Sequence, residues 1–178
     1  MTHARLVPDR PLPPYTFVPG QTPHPVSDPE GHSYGAPHET PAPVAPDDWQ
    51  SSRAYLFGID LFNAGFYWEA HETWEGLWHA CGRSGTTADF LKGLIQMTAA
   101  GVKVRQGVPR GVAGLGRGAA GLFRKVLDAL APGETRSLGL DVRELVHFAE
   151  GLAAQPDRPA PAAGSPAVPV FSLVLRPR

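Results

Sequence analysis

The sequence predicts an all-α protein: a compact multihelical bundle of about five helices, with a proline-rich extended N-terminal arm and a proline-rich C-terminal tail. Two observations predict this fold class. Most of the 20 prolines lie in residues 8–46 and 156–177, where they remove backbone donors and disfavour helix. Between these ends, apolar residues recur with the period of a helix. We therefore expect an arm over residues 1–46 that packs partly on the core, a helical domain over residues 47–155 and a tail over residues 156–178.

Capping residues and glycines predict where the first two helices begin and end. Asp48 is a suitable N-cap for a first helix, and Gly65 is suited to end it because glycine adopts the left-handed conformation without strain. Asn63 is expected to cap the turn that follows. The second helix is expected from about residue 66 to residue 81.

The remaining helices are predicted from the same signals. Thr87 can cap a third helix, and Pro109 suits the first turn of a fourth, where its missing N–H is not needed. Asp141, followed three residues later by Glu144, forms a capping-box-like start for a fifth helix. The terminal stretch VFSLVLRPR is expected to add one short strand.

Four glycines of the predicted fourth helix are three or four residues apart, which places bare backbone along one stripe: Gly111, Gly114, Gly118 and Gly121. Glycine inside a helix costs roughly 1 kcal/mol relative to alanine, so close packing should offset it. We expect another helix to pack closely on this stripe. That helix could come from a second copy of the chain, in a homo-oligomer formed through the glycine-rich helix.

Composition excludes several classes of protein. A net charge of -1 gives no general attraction to nucleic acid or to an anionic membrane, so we expect neither as a specific partner. Cys81 is the single cysteine, which rules out an internal disulfide framework. The first residues lack the apolar core of a signal peptide, and no stretch is long and apolar enough to span a bilayer. We expect a cytoplasmic protein.

The predicted second helix holds the chemistry. His71 and Glu75 are four residues apart and share a helix face, and His79 extends the row by another turn. We interpret His71, Glu75 and His79 as ligands of a divalent metal such as Zn, Mn or Fe. Glu72 would then ligate as well or act as the catalytic general base of a metal-dependent hydrolase. Glu72 and Glu75 are expected to be partly desolvated.

Alternatives remain open. The spacing differs from the HExxH helix of zinc peptidases, and no second helix supplies the Glu-x-x-His pair of di-iron bundles. The same His and Glu residues could instead form a buried hydrogen-bond network in a non-enzymatic structural or protein-interaction module. The acidic segment 47–79 could also simply pair with the basic segment 83–125. A third hypothesis is an anion binder that uses three cations of the third helix: Lys92, Lys103 and Arg105.

Two strings, FNAGFYWEAHETWEGLWHA and FLKGLIQMTAAGVKVRQG, resemble the small helical prokaryotic family catalogued as domain of unknown function 309. The resemblance covers about residues 55–130, and the family's H-x-x-x-E-x-x-(W or Y) motif matches His71, Glu75 and Trp78. It implies a compact multihelical fold, no established activity, and a histidine and glutamate motif that binds metal. Short members of the family lack the arm, so the resemblance implies nothing about that segment. His24 and His32 of the arm stay open as additional ligands.

Overall fold

The computed structural model describes residues 4–37 and 40–178, so residues 1–3 and 38–39 of the predicted arm lie outside the described residues. Most of the regular structure is helical, which confirms the all-α class. A short 3₁₀ helix, Pro46–Ser51, precedes the bundle. The elements that follow are α1 (Arg53–Ala64), α2 (Tyr67–Ala80), α3 (Thr86–Arg105), α4 (Pro109–Ala129), β1 (Arg136–Ser137), β2 (Leu140–Asp141) and α5 (Val142–Ala154).

The start of α1 differs from the prediction. Asp48 lies inside the 3₁₀ helix with a non-helical φ of -137°, and its carboxylate accepts a hydrogen bond from the Ser51 hydroxyl at 2.7 Å. The N-cap of α1 is Ser52, whose hydroxyl accepts from the Tyr55 N–H at 3.4 Å. The predicted end of the helix is confirmed, because Gly65 takes the left-handed conformation with a φ of 87°.

The other helix starts were predicted more closely. α4 begins at Pro109, as expected. Asp141 caps α5 and accepts hydrogen bonds from backbone N–H groups two and three residues later, at 2.9 and 3.3 Å. The predicted N-cap Thr87 is wrong by two residues, since α3 already begins at Thr86 after Gly85, which makes no side-chain cap.

The strand expected in the tail is wrong. Residues 155–178 form no strand, and the strands that the structure describes are the short antiparallel pair β1–β2. Leu138 and Gly139 between them both have positive φ, at 46° and 78°, as a tight hairpin turn requires.

Asn63 holds the tail instead of capping a turn. Its side-chain amide N–H donates to the Leu175 carbonyl at 2.9 Å, and its side-chain carbonyl accepts from the Leu175 N–H at 2.8 Å.

α2 lies at the centre of the packing, between α1 and α3. Its Trp74 is fully buried, and the indole N–H donates to the Tyr55 carbonyl of α1 at 3.2 Å. A Cβ at Gly58 would lie only 2.2 Å from this indole nitrogen, so α1 needs glycine there. α3, α4 and α5 continue the bundle, each against the one before. Within the part of the chain that the structure describes, the helices are too short or too polar to cross a membrane.

The glycine stripe of α4 is used only in part. The closest approach is at Gly116, outside the predicted stripe, where an added Cβ would lie 2.8 Å from the backbone of α5. Gly118 faces Gln96 of α3, whose amide oxygen would lie 2.2 Å from an added Cβ. At Gly114 and Gly121 an added Cβ would have nothing of the described chain within 4 Å. The helix contact predicted for this stripe therefore does not form within the chain at these two positions.

The arm is anchored to the bundle through buried carboxylates. Asp60 of α1 is only 6% exposed, and its two oxygens accept hydrogen bonds from the backbone N–H groups of Leu6 and Val7, both at 2.8 Å. The Arg5 guanidinium lies 3.7 Å from the same carboxylate. Such bonds replace those that a buried carboxylate loses with water. Residues 6 and 7 of the arm are therefore held against α1.

Candidate metal centre

Three polar side chains of α2 come together on one side of the helix. His71, Glu72 and Glu75 each place one ligand atom so that all three atoms lie within 4.8 Å of one another. The Nε2 atom of His71 is 3.7 Å from Oε2 of Glu75. Positions i and i+4 are neighbours on a helix surface, and a glutamate beside the histidine is long enough to reach the same point. The trio is therefore a consequence of helical spacing.

The trio is partly open to solvent. The side chains of His71 and Glu75 are 26% and 35% exposed, and Glu72 is exposed. The predicted desolvation therefore holds only in part for Glu75 and is wrong for Glu72. A buried hydrogen-bond network at these residues is not what the structure shows. Ligand atoms with a solvent-facing side are instead typical of a site that keeps coordination positions open.

His79, which the sequence also suggested as a ligand, is not part of the trio. It lies two turns beyond His71 near the end of α2 and is exposed, with its ring 5.1 Å from that of Trp78. A rise of about 1.5 Å per residue separates two such positions by roughly 12 Å along the axis. The structure therefore does not bring His79 into the group that His71 forms with the two glutamates.

The arm histidines also lie apart from the trio. His24 packs its ring against Trp68, with the centroids 5.3 Å apart, and its Nδ1 accepts backbone hydrogen bonds from Val26 and Ser27 at 3.3 Å. His32 lies 3.4 Å from the Glu69 carboxylate. Both rings are thus engaged within the arm or between the arm and α2.

The buried carboxylate of α2 is Glu69, which sequence reasoning did not single out. It is 6% exposed, and it accepts hydrogen bonds from the Phe17 N–H at 2.7 Å and the Thr16 hydroxyl at 2.8 Å. Burial raises the pKa of Glu69 above its ordinary value, and these hydrogen bonds partly offset that effect. Its partners lie more than 50 residues away along the chain, so the residues around Glu69 carry no signal of this burial.

The three cations proposed for anion binding point in different directions. The Lys92 ammonium lies over the ring of Trp78, 4.2 Å from its centroid, and so faces α2. Lys103 donates to the Gln106 side chain at 2.8 Å. Arg105 is 4% exposed and donates to the Ser165 carbonyl of the tail at 2.9 Å. The three cations therefore do not converge on one site.

A groove of about 400 Å³ lies elsewhere, between the hairpin, the start of α5 and the tail. Arg136, Glu144 and Arg178 are among the residues that line it, and none of the trio does. The trio is therefore part of the surface along α2 and not of this groove.

Comparison with known proteins agrees with the resemblance in part of the chain. No curated protein matches the sequence. A family model described as "Domain of unknown function (DUF309)" matches residues 55–115, a segment that begins in α1 and ends in α4. His71, Glu72 and Glu75 all lie inside the matched segment, whereas the arm, the hairpin and the tail lie outside it. Residues 55–115 are therefore similar to the family described as Domain of unknown function (DUF309).

Proposed function

We propose that the protein binds a divalent metal ion on α2 through His71, Glu72 and Glu75. The observation that carries the proposal is the convergence of one ligand atom from each residue within 4.8 Å. One imidazole nitrogen and two carboxylate oxygens suit a first-row metal such as Zn, Mn or Fe. Glu72 takes the place among the ligands that the sequence had assigned to His79.

Hydrolysis is the finer part of the proposal. Three ligands from one exposed helix face would leave coordination positions for water and a substrate, and a bound divalent ion lowers the pKa of such a water towards neutrality. Glu72 then has two proposed roles, as a ligand or as the general base that the sequence suggested. The ligand role is favoured because a carboxylate oxygen of Glu72 lies within 4.8 Å of the ligand atoms of both His71 and Glu75.

The competing proposal is a structural or interaction module. Its buried network would have to be built on Glu69 instead of the trio, since His71 and Glu75 are 26% and 35% exposed. Such a module predicts that His71→Ala costs little stability and loses no ion. Partner proteins, homo-oligomerisation and a cytoplasmic location remain predictions from the sequence.

Elemental analysis of protein purified without a metal-affinity tag tests the proposal. We expect near-stoichiometric metal in the wild type. The double variant His71→Ala, Glu75→Ala and the single variant Glu72→Gln should both lose the metal, while their helical circular dichroism stays the same as that of the wild type. The matched control is His79→Ala, which removes an exposed histidine of the same helix and should keep the ion. Wild-type protein that takes up no Zn, Mn or Fe even after refilling would refute metal binding.

The same preparations test hydrolysis and the assignment of ligands. Cleavage of an activated ester by metal-loaded wild type, and not by the metal-free variants, is the expected result. If His79→Ala loses the ion while Glu72→Gln keeps it, the ligand set of the sequence prediction is correct and the one drawn from the structure is not.

A further inference from the structure

The packing of α2 on α3 fixes which part of α3 runs beside the trio. Near the start of α2, the Tyr67 ring faces Gly101, where an added Cβ would lie 2.5 Å from the ring. Near the end of α2, the Trp78 ring faces Lys92, whose ammonium lies 4.2 Å from the ring centroid. The two helices are thus antiparallel. The trio, between Tyr67 and Trp78, runs alongside the stretch of α3 between Lys92 and Gly101.

That stretch of α3 is uncharged apart from Lys92. Residues 93–100 read GLIQMTAA, and Gln96 is turned towards Gly118 of α4. The cations further along α3 are engaged elsewhere: Lys103 with Gln106, and Arg105 with the tail at Ser165. Lys92 is therefore the cation that α3 presents on the side of the trio, at the Trp78 end.

The position of Lys92 along α2 follows from the helical period. Trp78 is three residues after Glu75, so both lie on the same face of α2, one turn apart. Among the residues that the structure describes, the ammonium rests on a ring and not on a carboxylate, and a cation–π contact orients a charge without neutralising it. The long and flexible lysine stem can move this charge towards Glu75.

We infer that Lys92 is the anion-binding group of the α2 site and that the site takes an oxyanion, a phosphate or a carboxylate, held between the ion and the ammonium. The inference rests on the proposed metal binding. Two ionised glutamates balance the charge of a divalent ion, so an anionic ligand adds negative charge that Lys92 offsets. A neutral ligand would leave Lys92 without a role at the site.

Isothermal titration of the metal-loaded protein tests this, with inorganic phosphate in one arm and acetate in the other. We expect Lys92→Met to keep its metal and its apolar contact with Trp78 but to bind the preferred anion at least tenfold more weakly, since a charge-assisted hydrogen bond is lost. Lys92→Arg should retain most of the affinity. The control is Lys125→Met on α4, whose ammonium already pairs with the Asp89 carboxylate at 3.0 Å.

The outcomes separate the inference from the function on which it rests. Metal-loaded wild type that binds neither anion, or a Lys92→Met protein with wild-type affinity, would overturn the inference and leave metal binding intact. Wild type without metal in the same samples would overturn both. Stronger binding of phosphate than of acetate, lost in Lys92→Met, would assign the site to phosphate-type ligands, and the reverse order to carboxylates.

Discussion

Replacing Glu69 by alanine should detach the central part of the arm from α2. The carboxylate accepts hydrogen bonds from the Phe17 N–H and the Thr16 hydroxyl at 2.7 and 2.8 Å, and His32 lies near it at 3.4 Å. Because Phe17 is only 8% exposed, its N–H would be left without a partner in a buried place. A buried unsatisfied donor costs about 1–3 kcal/mol, and the Thr16 hydroxyl can rotate to another acceptor.

The expected loss is therefore about 2 kcal/mol in the free energy of unfolding, because removing the desolvated carboxylate offsets part of the cost. Urea unfolding in the presence of a chelator measures the loss, and amide exchange at Phe17 should accelerate. The matched control is Glu75→Ala on the same helix, where a side chain that is 35% exposed should cost less than about 0.5 kcal/mol. Equal losses in the two variants, or unchanged exchange at Phe17, would refute the anchoring role of Glu69.

Two further predictions concern pH and the glycines of α4. Since burial raises the pKa of Glu69 above 4.5, the folded state holds its proton more tightly than the unfolded chain, and this contribution to stability is lost as pH rises through the folded pKa. The unfolding free energy of wild type minus that of Glu69→Gln should thus fall with increasing pH above about 4.5, and a flat difference would contradict it. Gly114→Ala should raise the stability of α4 by up to about 1 kcal/mol, whereas Gly116→Ala should lower the melting temperature by overlap with α5. Melting-temperature shifts of the same sign would contradict this reading of α4.

The helices could be predicted from sequence because their limits depend on neighbouring residues. Gly65 ends α1 and Asp141 begins α5 through contacts within a few residues. The error at Asp48 has a local cause as well: Pro46 begins a short 3₁₀ turn, so the chain makes a separate turn before Ser52 caps α1. The hairpin at Leu138 escaped prediction because its turn places a leucine at positive φ, which that residue type rarely adopts.

Part of the candidate site could also be predicted, because it depends on residues that are close in sequence. Helical spacing alone brings His71 and Glu75 together, and the structure has them 3.7 Å apart. Choosing between Glu72 and His79 as the third member requires the distance along the helix axis as well as the angle around it. The angle around the helix axis suggested a row of His71, Glu75 and His79. The rise per residue, however, places His79 about two turns away from His71.

The way the arm docks could not be predicted, because its donors are backbone N–H groups that every sequence has. Charge patterning suggested that the acidic segment would pair with the basic one, but its two buried carboxylates, Asp60 and Glu69, accept hydrogen bonds from the arm. Basic residues of α4 pair elsewhere, as Lys125 does with Asp89. The arm therefore satisfies Glu69, the buried acid near the start of α2, and leaves His71 and Glu75 further along the helix to face each other and the solvent. α2 thus has an anchoring end at Glu69 and a partly solvent-facing side further along, and this division is why the trio, and not Glu69, is the candidate ligand set.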